Sequence, residues 1–196
     1  PSRGNVVRAL ELPADTVATE GWSPNIDVAA DALAPLGIDV IVFDALDDDR
    51  MPFDDNRFEL VLDRHEAYLA GEVARVLTPG GVVLTKQVGG DDFAEAHDLF
   101  GAPFQYPDHL LEPCRRELED AGLVVDVAAQ WRGPVAFDDV GALVQYFVMV
   151  PWDVPDDFSV DAYAEALLDV HDRGPARGVP ITFTESRFVL RAHKPS

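Results

Sequence analysis

Residues 51–81, MPFDDNRFELVLDRHEAYLAGEVARVLTPGG, constrain the fold more than any other stretch of the chain. The acidic turn Asp54-Asp55-Asn56 leads into residues 58–63, FELVLD, a short apolar run of the kind that forms buried strands. Leu69, Val73, Val76 and Leu77 then recur at helical spacing, and Pro79-Gly80-Gly81 is expected to stop that helix. A second apolar run, residues 82–85, follows at once. Strand, helix and strand in this order predict two neighbouring parallel strands joined by a right-handed crossover. In such a sheet the useful side chains stand just past the carboxyl ends of the strands. Here those are Arg64-His65-Glu66 and Lys86-Gln87.

The residues ahead of this unit repeat its logic. Asn5 can cap a helix that carries Val6, Val7, Leu10 and Leu12. Residues 16–20, TVATE, form a short β-branched strand ending in Glu20. Ser23-Pro24 suits a helix start, with a capping hydroxyl and proline at the first helical position. Ile26, Ala29, Ala30, Leu33 and Leu36 follow on one face, and Gly37 ends the helix. Residues 38–43 make the next strand, which ends in Asp44. Glu20 and Asp44 therefore lie one strand–helix–strand unit apart, at the carboxyl edge of adjacent strands. A carboxylate in that position can accept both hydroxyls of a ribose. Either acid alone can also be a strand end that meets water. Asp47-Asp48-Asp49 is read as a solvated loop, since three consecutive acids cannot all face one ion and no calcium-loop spacing follows.

Taken together, Pro52-Phe53, the acidic turn, Phe58-Glu59-Leu60-Val61 and a helix ending Arg75-Val76-Leu77-x-Pro-Gly-Gly resemble the class I S-adenosylmethionine-dependent methyltransferases. The resemblance covers residues 5–88, and residues 187–195, RFVLRAHKP, are similar to that family's last strand. It implies an α/β, Rossmann-like, mostly parallel sheet with helices on both faces. It also implies S-adenosyl-L-methionine as cofactor and methyl transfer to a small-molecule acceptor. Glu20 takes the ribose hydroxyls in this reading, and Asp44 with Ala45 takes the adenine edge. Gly4, as the last glycine of a glycine-rich loop, joins Gly21, Trp22, Arg64 and His65 in the implied cofactor site. His65 is the candidate general base, because an unperturbed imidazole titrates near neutrality. The family's first strand lies between the strands ending at Glu20 and Asp63. Residues ahead of Pro1, or a replacement strand from elsewhere, are expected to fill that slot, because two open rows of buried backbone groups would cost ~1–3 kcal/mol per unsatisfied group.

Beyond Val88 the reading rests on pattern alone. Gly89-Gly90 permits either a plain turn or a close approach of backbone to ligand. Helices are expected over residues 92–100 and 108–121, the second with Leu110, Leu111, Cys114, Leu118 and Ala121 as its buried face. A strand follows at residues 123–127, and an extended strand or strand pair at 182–192 closes the chain. Residues 131–180 form a helical insertion before that final strand, within a single domain spanning residues 1–196. Its aromatics suit a roof over the sheet edge, with Gln87, Tyr146 and Trp152 lining a substrate pocket. The alternative is that these rings pack the insertion against the core. His109 and His171 read as surface histidines, and no metal site is expected.

Charge and cysteine usage restrict the function. A formal net charge of −21, from 36 acids against 15 Lys and Arg, argues against a nucleic-acid backbone or an anionic membrane as partner. The single Cys114 excludes an internal disulfide. No apolar run approaches the ~20 residues of a membrane span, and no signal-peptide pattern opens the sequence, so the cytoplasm is the expected compartment. The sequence leaves two rival readings. A nicotinamide-dependent dehydrogenase would need G-x-G-x-x-G, which is not in the sequence. A catalytically degenerate binding or regulatory module of the same fold is the non-enzymatic rival. The acid excess suits adaptation to high salt, or simply an acidic protein from a GC-rich genome. Screening of self-repulsion should raise the melting temperature between ~0.05 and ~1 M potassium chloride, where the Debye length falls severalfold. A flat or falling curve would show that the charge is well dispersed.

Overall fold

The computed structural model describes residue 10, residues 12–13 and residues 15–196. The expectation for Gly4 and most of the helix expected after Asn5 fall outside the described residues, and Leu10 and Leu12, expected on that helix, lie in no helix. In chain order the elements are β1 (Val17–Glu20), α1 (Ser23–Leu33), β2 (Asp39–Val42), β3 (Phe58–Arg64), α2 (Ala70–Val76) and β4 (Leu77–Val88). They continue with α3 (Ala94–Phe100), α4 (Leu111–Asp120), β5 (Val124–Phe137), α5 (Val140–Met149), α6 (Ala164–Arg173) and β6 (Ile181–His193). Strands β1 and β2 pair in parallel. Strands β3 and β4 also pair in parallel, and β6 runs antiparallel between β4 and β5. Among the described residues the strand order is β1-β2 and β3-β4-β6-β5, and β1 does not pair with β3. This is the α/β arrangement expected for the fold class, with helices packed against sheet.

Local chemistry explains most element ends. In α1 the buried residues are Asn25, Ala29 and Leu33, a spacing of four that keeps one face inward, whereas Leu36 is exposed. Ser23 is the first helical residue rather than the cap, and no side chain caps this helix. Helix α2 ends differently from expectation. Leu77 turns extended (φ −69°, ψ 138°), so the chain passes directly from helix into β4. Pro79-Gly80-Gly81 lies inside β4, where the register jumps from Phe58↔Leu77 to Leu60↔Val82. The glycines thus form a strand irregularity and do not stop the helix. The physical reason is burial: Val76 and Leu77 are both fully enclosed, and only the abrupt change of direction points both inward.

Two hydrophobic cores result. The first joins α2 and α4 to one face of the sheet through Val73, Leu77, Val83, Leu118, Phe188 and Leu190. The other face of β3 and β4 turns Leu60, Leu62 and Leu84 outward among the described residues. The second core joins α3, α5 and α6 to the far end of the β5–β6 hairpin, around Phe93, Phe100, Leu143, Phe147, Leu167 and Phe183. Residues 131–137, assigned by sequence to the insertion, instead extend β5, and Trp131↔Arg187 to Phe137↔Ile181 are paired positions. The helical segment therefore begins at Val140, because alternation through Val135 and Phe137 keeps one side of the strand against the second core. Among the described residues strand β5 is an outer strand of its sheet, carries a register shift between Val125 and Val127, and contains Pro134. No helix among the described residues is long and apolar enough to cross a membrane.

The two aromatics expected at a substrate pocket fall in different environments. Tyr146 stacks on Phe93 with centroids 4.9 Å apart, and its hydroxyl donates to Asp153 at 3.0 Å. Trp152 lies in the short turn Pro151–Asp153 and is 56% exposed. Tyr146→Ala should therefore cost about 3 kcal/mol in urea denaturation, as loss of a packed aromatic does. Trp152→Ala should stay within ~0.5 kcal/mol, as exposed substitutions do. Equal losses would mean that Trp152 is part of the second core.

Candidate functional site

The register Glu20↔Val42 brings the ends of β1 and β2 side by side. Phe43 N–H donates to the Glu20 carbonyl at 3.3 Å, extending the pairing past both strands. A side chain on Gly21 would collide with Asp44, whose Cβ lies 2.7 Å from the position a Cβ would take. Gly21 is thus a close-packing position that lets Glu20 and Asp44 approach one another. The Glu20 carboxylate accepts the Trp22 N–H at 2.9 Å on one oxygen and the Asn25 side-chain amide on the other. Asn25 is 7% exposed, a polar residue on the inward face of α1 whose amide orients the acid. Asp44 accepts the Leu46 N–H at 2.9 Å, and Asp48 accepts the Asp44 N–H at 3.0 Å. Each carboxylate retains lone pairs for further donors.

The chain beyond β3 forms the second part of the site. His65 has a left-handed backbone (φ 60°), and its N–H donates to the Lys86 carbonyl at 2.9 Å. Packing around the imidazole, together with the positive charges of Arg64, Lys86 and Arg187, pushes its pKa down to about 4. His65 is therefore neutral through the physiological range. Glu66 is solvent-exposed, yet the chain packed around its carboxylate, with the charges of Glu20 and Asp44, holds it above the usual range. The three acids accordingly share one neighbourhood.

Beneath this edge runs a chain of buried polar groups. Thr85 donates to Asp63 at 2.6 Å, and Gln87 donates to the same Asp63 oxygen and to the Glu66 carbonyl at 3.0 Å. The Gln87 carbonyl oxygen lies 3.3 Å from His109 Nε2, and His109 Nδ1 lies 3.5 Å from Cys114 Sγ. Burial pushes the Cys114 thiol up to about 11 and lowers His109, so Cys114 is a thiol and His109 is neutral. Every donor can then point towards Asp63, with Nε2–H the assigned imidazole donor. Burial, offset by Thr85 and reinforced by Glu66, pushes Asp63 up to about 6. Gln87 is 3% exposed and supports the site from below rather than facing a pocket. His109, read from sequence as a surface histidine, is half-buried in this chain. Gly90 serves backbone rather than ligand: a Cβ there would stand 2.0 Å from the Tyr106 carbonyl oxygen of the crossing loop.

On the opposite face of β3, β4, β6 and β5 lies an open groove of about 580 Å³, lined by Arg64, His65, Lys86, Trp131, Glu185 and Arg187, with Gln130 and the apolar Ala129, Phe188 and Val189 between them. Neither Tyr146 nor Trp152 lines it. Ala45 and Trp22 flank the acidic side, Ala45 partly covered and Trp22 57% exposed. Asn25 and Asp63 were not singled out as site residues by sequence. Asn25 had a detectable signal, a polar side chain among inward-facing alanine and leucine positions.

No family profile and no curated protein sequence matches the chain. Solved structures do. The YcgJ protein of Bacillus subtilis superposes with a TM-score of 0.63 at 16% identity, over 100% of this chain and 98% of that one. A Bacillus halodurans protein provisionally assigned as a methyltransferase gives 0.60 at 18% identity, over 92% and 83%. The geranyl diphosphate C-methyltransferase of Streptomyces coelicolor gives 0.54 at 14% identity, over 98% and 67%. The chain has the class I methyltransferase fold. Within this methyltransferase fold, the carboxyl ends of β1, β2 and β3 gather Glu20, Asp44 and Glu66, while β3, β4 and β6 gather Arg64, Lys86 and Arg187.

Asp63 offers a direct test of the polar chain. The folded protein keeps this proton up to about pH 6, whereas the unfolded chain releases it near the ordinary value of 3.8. Its contribution to stability is thus complete at low pH and is lost as pH rises towards and through 6. Relative to Asp63→Asn, which keeps an acceptor oxygen, the wild-type protein should lose about 1–2 kcal/mol between pH 4.5 and 7 and then level off. Parallel stability curves for the two proteins would show that Asp63 titrates normally.

Proposed function

We propose that the chain is an S-adenosylmethionine-dependent methyltransferase acting on a small-molecule acceptor. The observation that carries this reading is the fixed Glu20 carboxylate at the end of β1, held by the Trp22 N–H and by buried Asn25. A pre-oriented carboxylate is suited to two adjacent hydroxyls, because it offers acceptors at the right spacing without first losing its own freedom. Asp44 and Ala45, brought close by Gly21, suit a flat base with an exocyclic amine. This set of acceptors therefore suits the adenosine part of the cofactor. The Streptomyces coelicolor neighbour is a complex with S-adenosyl-L-homocysteine, which supports the same ligand class here.

When bound, S-adenosylmethionine supplies a methyl group already activated by its sulfonium, so the protein's task is alignment and exclusion of water. His65 sits where that alignment matters. An imidazole that protonates only near 4 is a weak proton acceptor at neutral pH, so its proposed role is a neutral hydrogen-bonding contact. The second core stands beyond the carboxyl edge of β4, and this supports the helical insertion as one wall of the acceptor site.

Calorimetry tests the reading directly. The protein should bind S-adenosylhomocysteine and not NAD. Glu20→Ala should weaken binding by ~1.5–3 kcal/mol, the range for hydrogen bonds to a charged group. Asn25→Ala should weaken it less, since it removes orientation and leaves the acceptor. Wild-type affinity in Glu20→Ala would remove Glu20 from the site, and preferential binding of NAD would sink the methyltransferase reading.

A further inference from the structure

The chain has 36 acids against 15 Lys and Arg, so carboxylate partners for a cation are plentiful. Most of the described arginines, from Arg50 to Arg191, sit within 4.0 Å of an Asp or Glu. Arg64 and Lys86 make neither an ion pair nor a side-chain hydrogen bond with any described residue. They are nonetheless register partners on adjacent parallel strands, so two like charges stand side by side at the carboxyl edge. Like charges directly opposed across a sheet are destabilising. Arg187 adds a third cation to the same groove. It is already engaged by Asp92 and by Glu185 at 3.0 Å, so the one acid lining the groove is committed to Arg187. Trp131, 51% exposed, supplies an apolar wall.

We propose that Arg64 and Lys86 form an oxyanion subsite, which holds a carboxylate or phosphate group of the acceptor in the groove between β3, β4 and β6. The proposal rests on the methyltransferase reading for the word acceptor, and on two cations without an ion pair among the described residues for the anion. An oxyanion between the two side chains relieves their mutual repulsion and accepts from both, Arg64 offering a fork and Lys86 a point charge. The acidic cluster of Glu20, Asp44 and Glu66 repels the same group. The edge therefore has two chemically distinct ends, one for hydroxyl and amine donors and one for an anion.

The test uses inorganic phosphate and glutarate as probes, each titrated at constant ionic strength against chloride, with the backbone amide resonances of Arg64, His65 and Lys86 followed by NMR. One or both probes should shift these resonances saturably, in the millimolar range expected of a small ion. The stronger probe then indicates whether the acceptor's group is a phosphate or a carboxylate. Arg64→Gln and Lys86→Gln should each weaken the response roughly tenfold, the scale of one lost charge-assisted hydrogen bond. Arg177→Gln, an exposed arginine in the turn Pro175–Arg177 without an ion pair among the described residues, should leave it unchanged. Shifts that do not saturate, or that survive both substitutions, overturn the subsite. If the Arg64→Gln, Lys86→Gln double variant loses S-adenosylhomocysteine affinity to the same extent, the cations hold the cofactor's own carboxylate and the acceptor assignment falls. If wild type binds phosphate but no S-adenosylhomocysteine, the anion subsite stands and the methyltransferase reading fails on its own.

Discussion

The architecture depends on one strand serving two cores. All of β6 pairs with β5, but only Arg187 to His193 also pair with β4. The preceding residues of β6 project past the carboxyl end of β4 at Val88. Phe188, Leu190 and Ala192 pack under α2 and α4, whereas Ile181 and Phe183 pack under the insertion. Ser186 marks the handover, fully enclosed, with its N–H donated to the Asp92 carboxylate at 2.6 Å. Because hydrogen bonding along one strand is continuous, the insertion is held at a set height above the sheet edge.

The site itself is held by polar groups rather than by packing. Glu20 depends on Asn25, and the loop after β3 depends on Gln87, which ties Asp63 to the Glu66 carbonyl. Such buried networks stabilise little in net terms, since each group has given up water to enter them. Their contribution is geometric. The raised pKa of Asp63 shows the cost: the acid is kept under the site despite the penalty on its charged form. Arg75 does comparable work at the opening loop, where its guanidinium holds Glu72, Asp55 and the carbonyls of Phe53 and Met51.

Much of the fold could be read from residues 51–88, because a strand, a helix and a strand in one short stretch leave few alternatives. Glu20 and Asp44 were legible for the same reason: a strand end fixes where an acid must stand. What the sequence does not carry is the surroundings of each side chain. Pro79-Gly80-Gly81 reads as a helix stop in one dimension, and only the burial of Val76 and Leu77 shows that the turn had already happened. Tyr146 and Trp152 carry the same aromatic signal in sequence, yet one stacks on Phe93 and the other faces water. Gln87, His109 and Cys114 are 22 and 27 residues apart along the chain from the first to each of the others, and no periodicity predicts that they touch. Lys86 and Arg64 were visible as strand-end residues. That neither has an ion-pair partner among the described residues is a property of the folded structure alone.

The outer strand has a consequence for how the molecule keeps its own company. A 14-residue β-strand with an open edge is a template for another chain, and Val124, Val127 and Trp131 on it are exposed. Two irregularities interrupt that template. The register shift at Val125–Val127 bends one end, and Pro134 removes a backbone donor near the other. Asp126 sits at the bend with its charge shared between Arg191 and His193, so a second copy sliding in would have to bury it. The same ribbon that carries the insertion thus offers a second chain an interrupted edge.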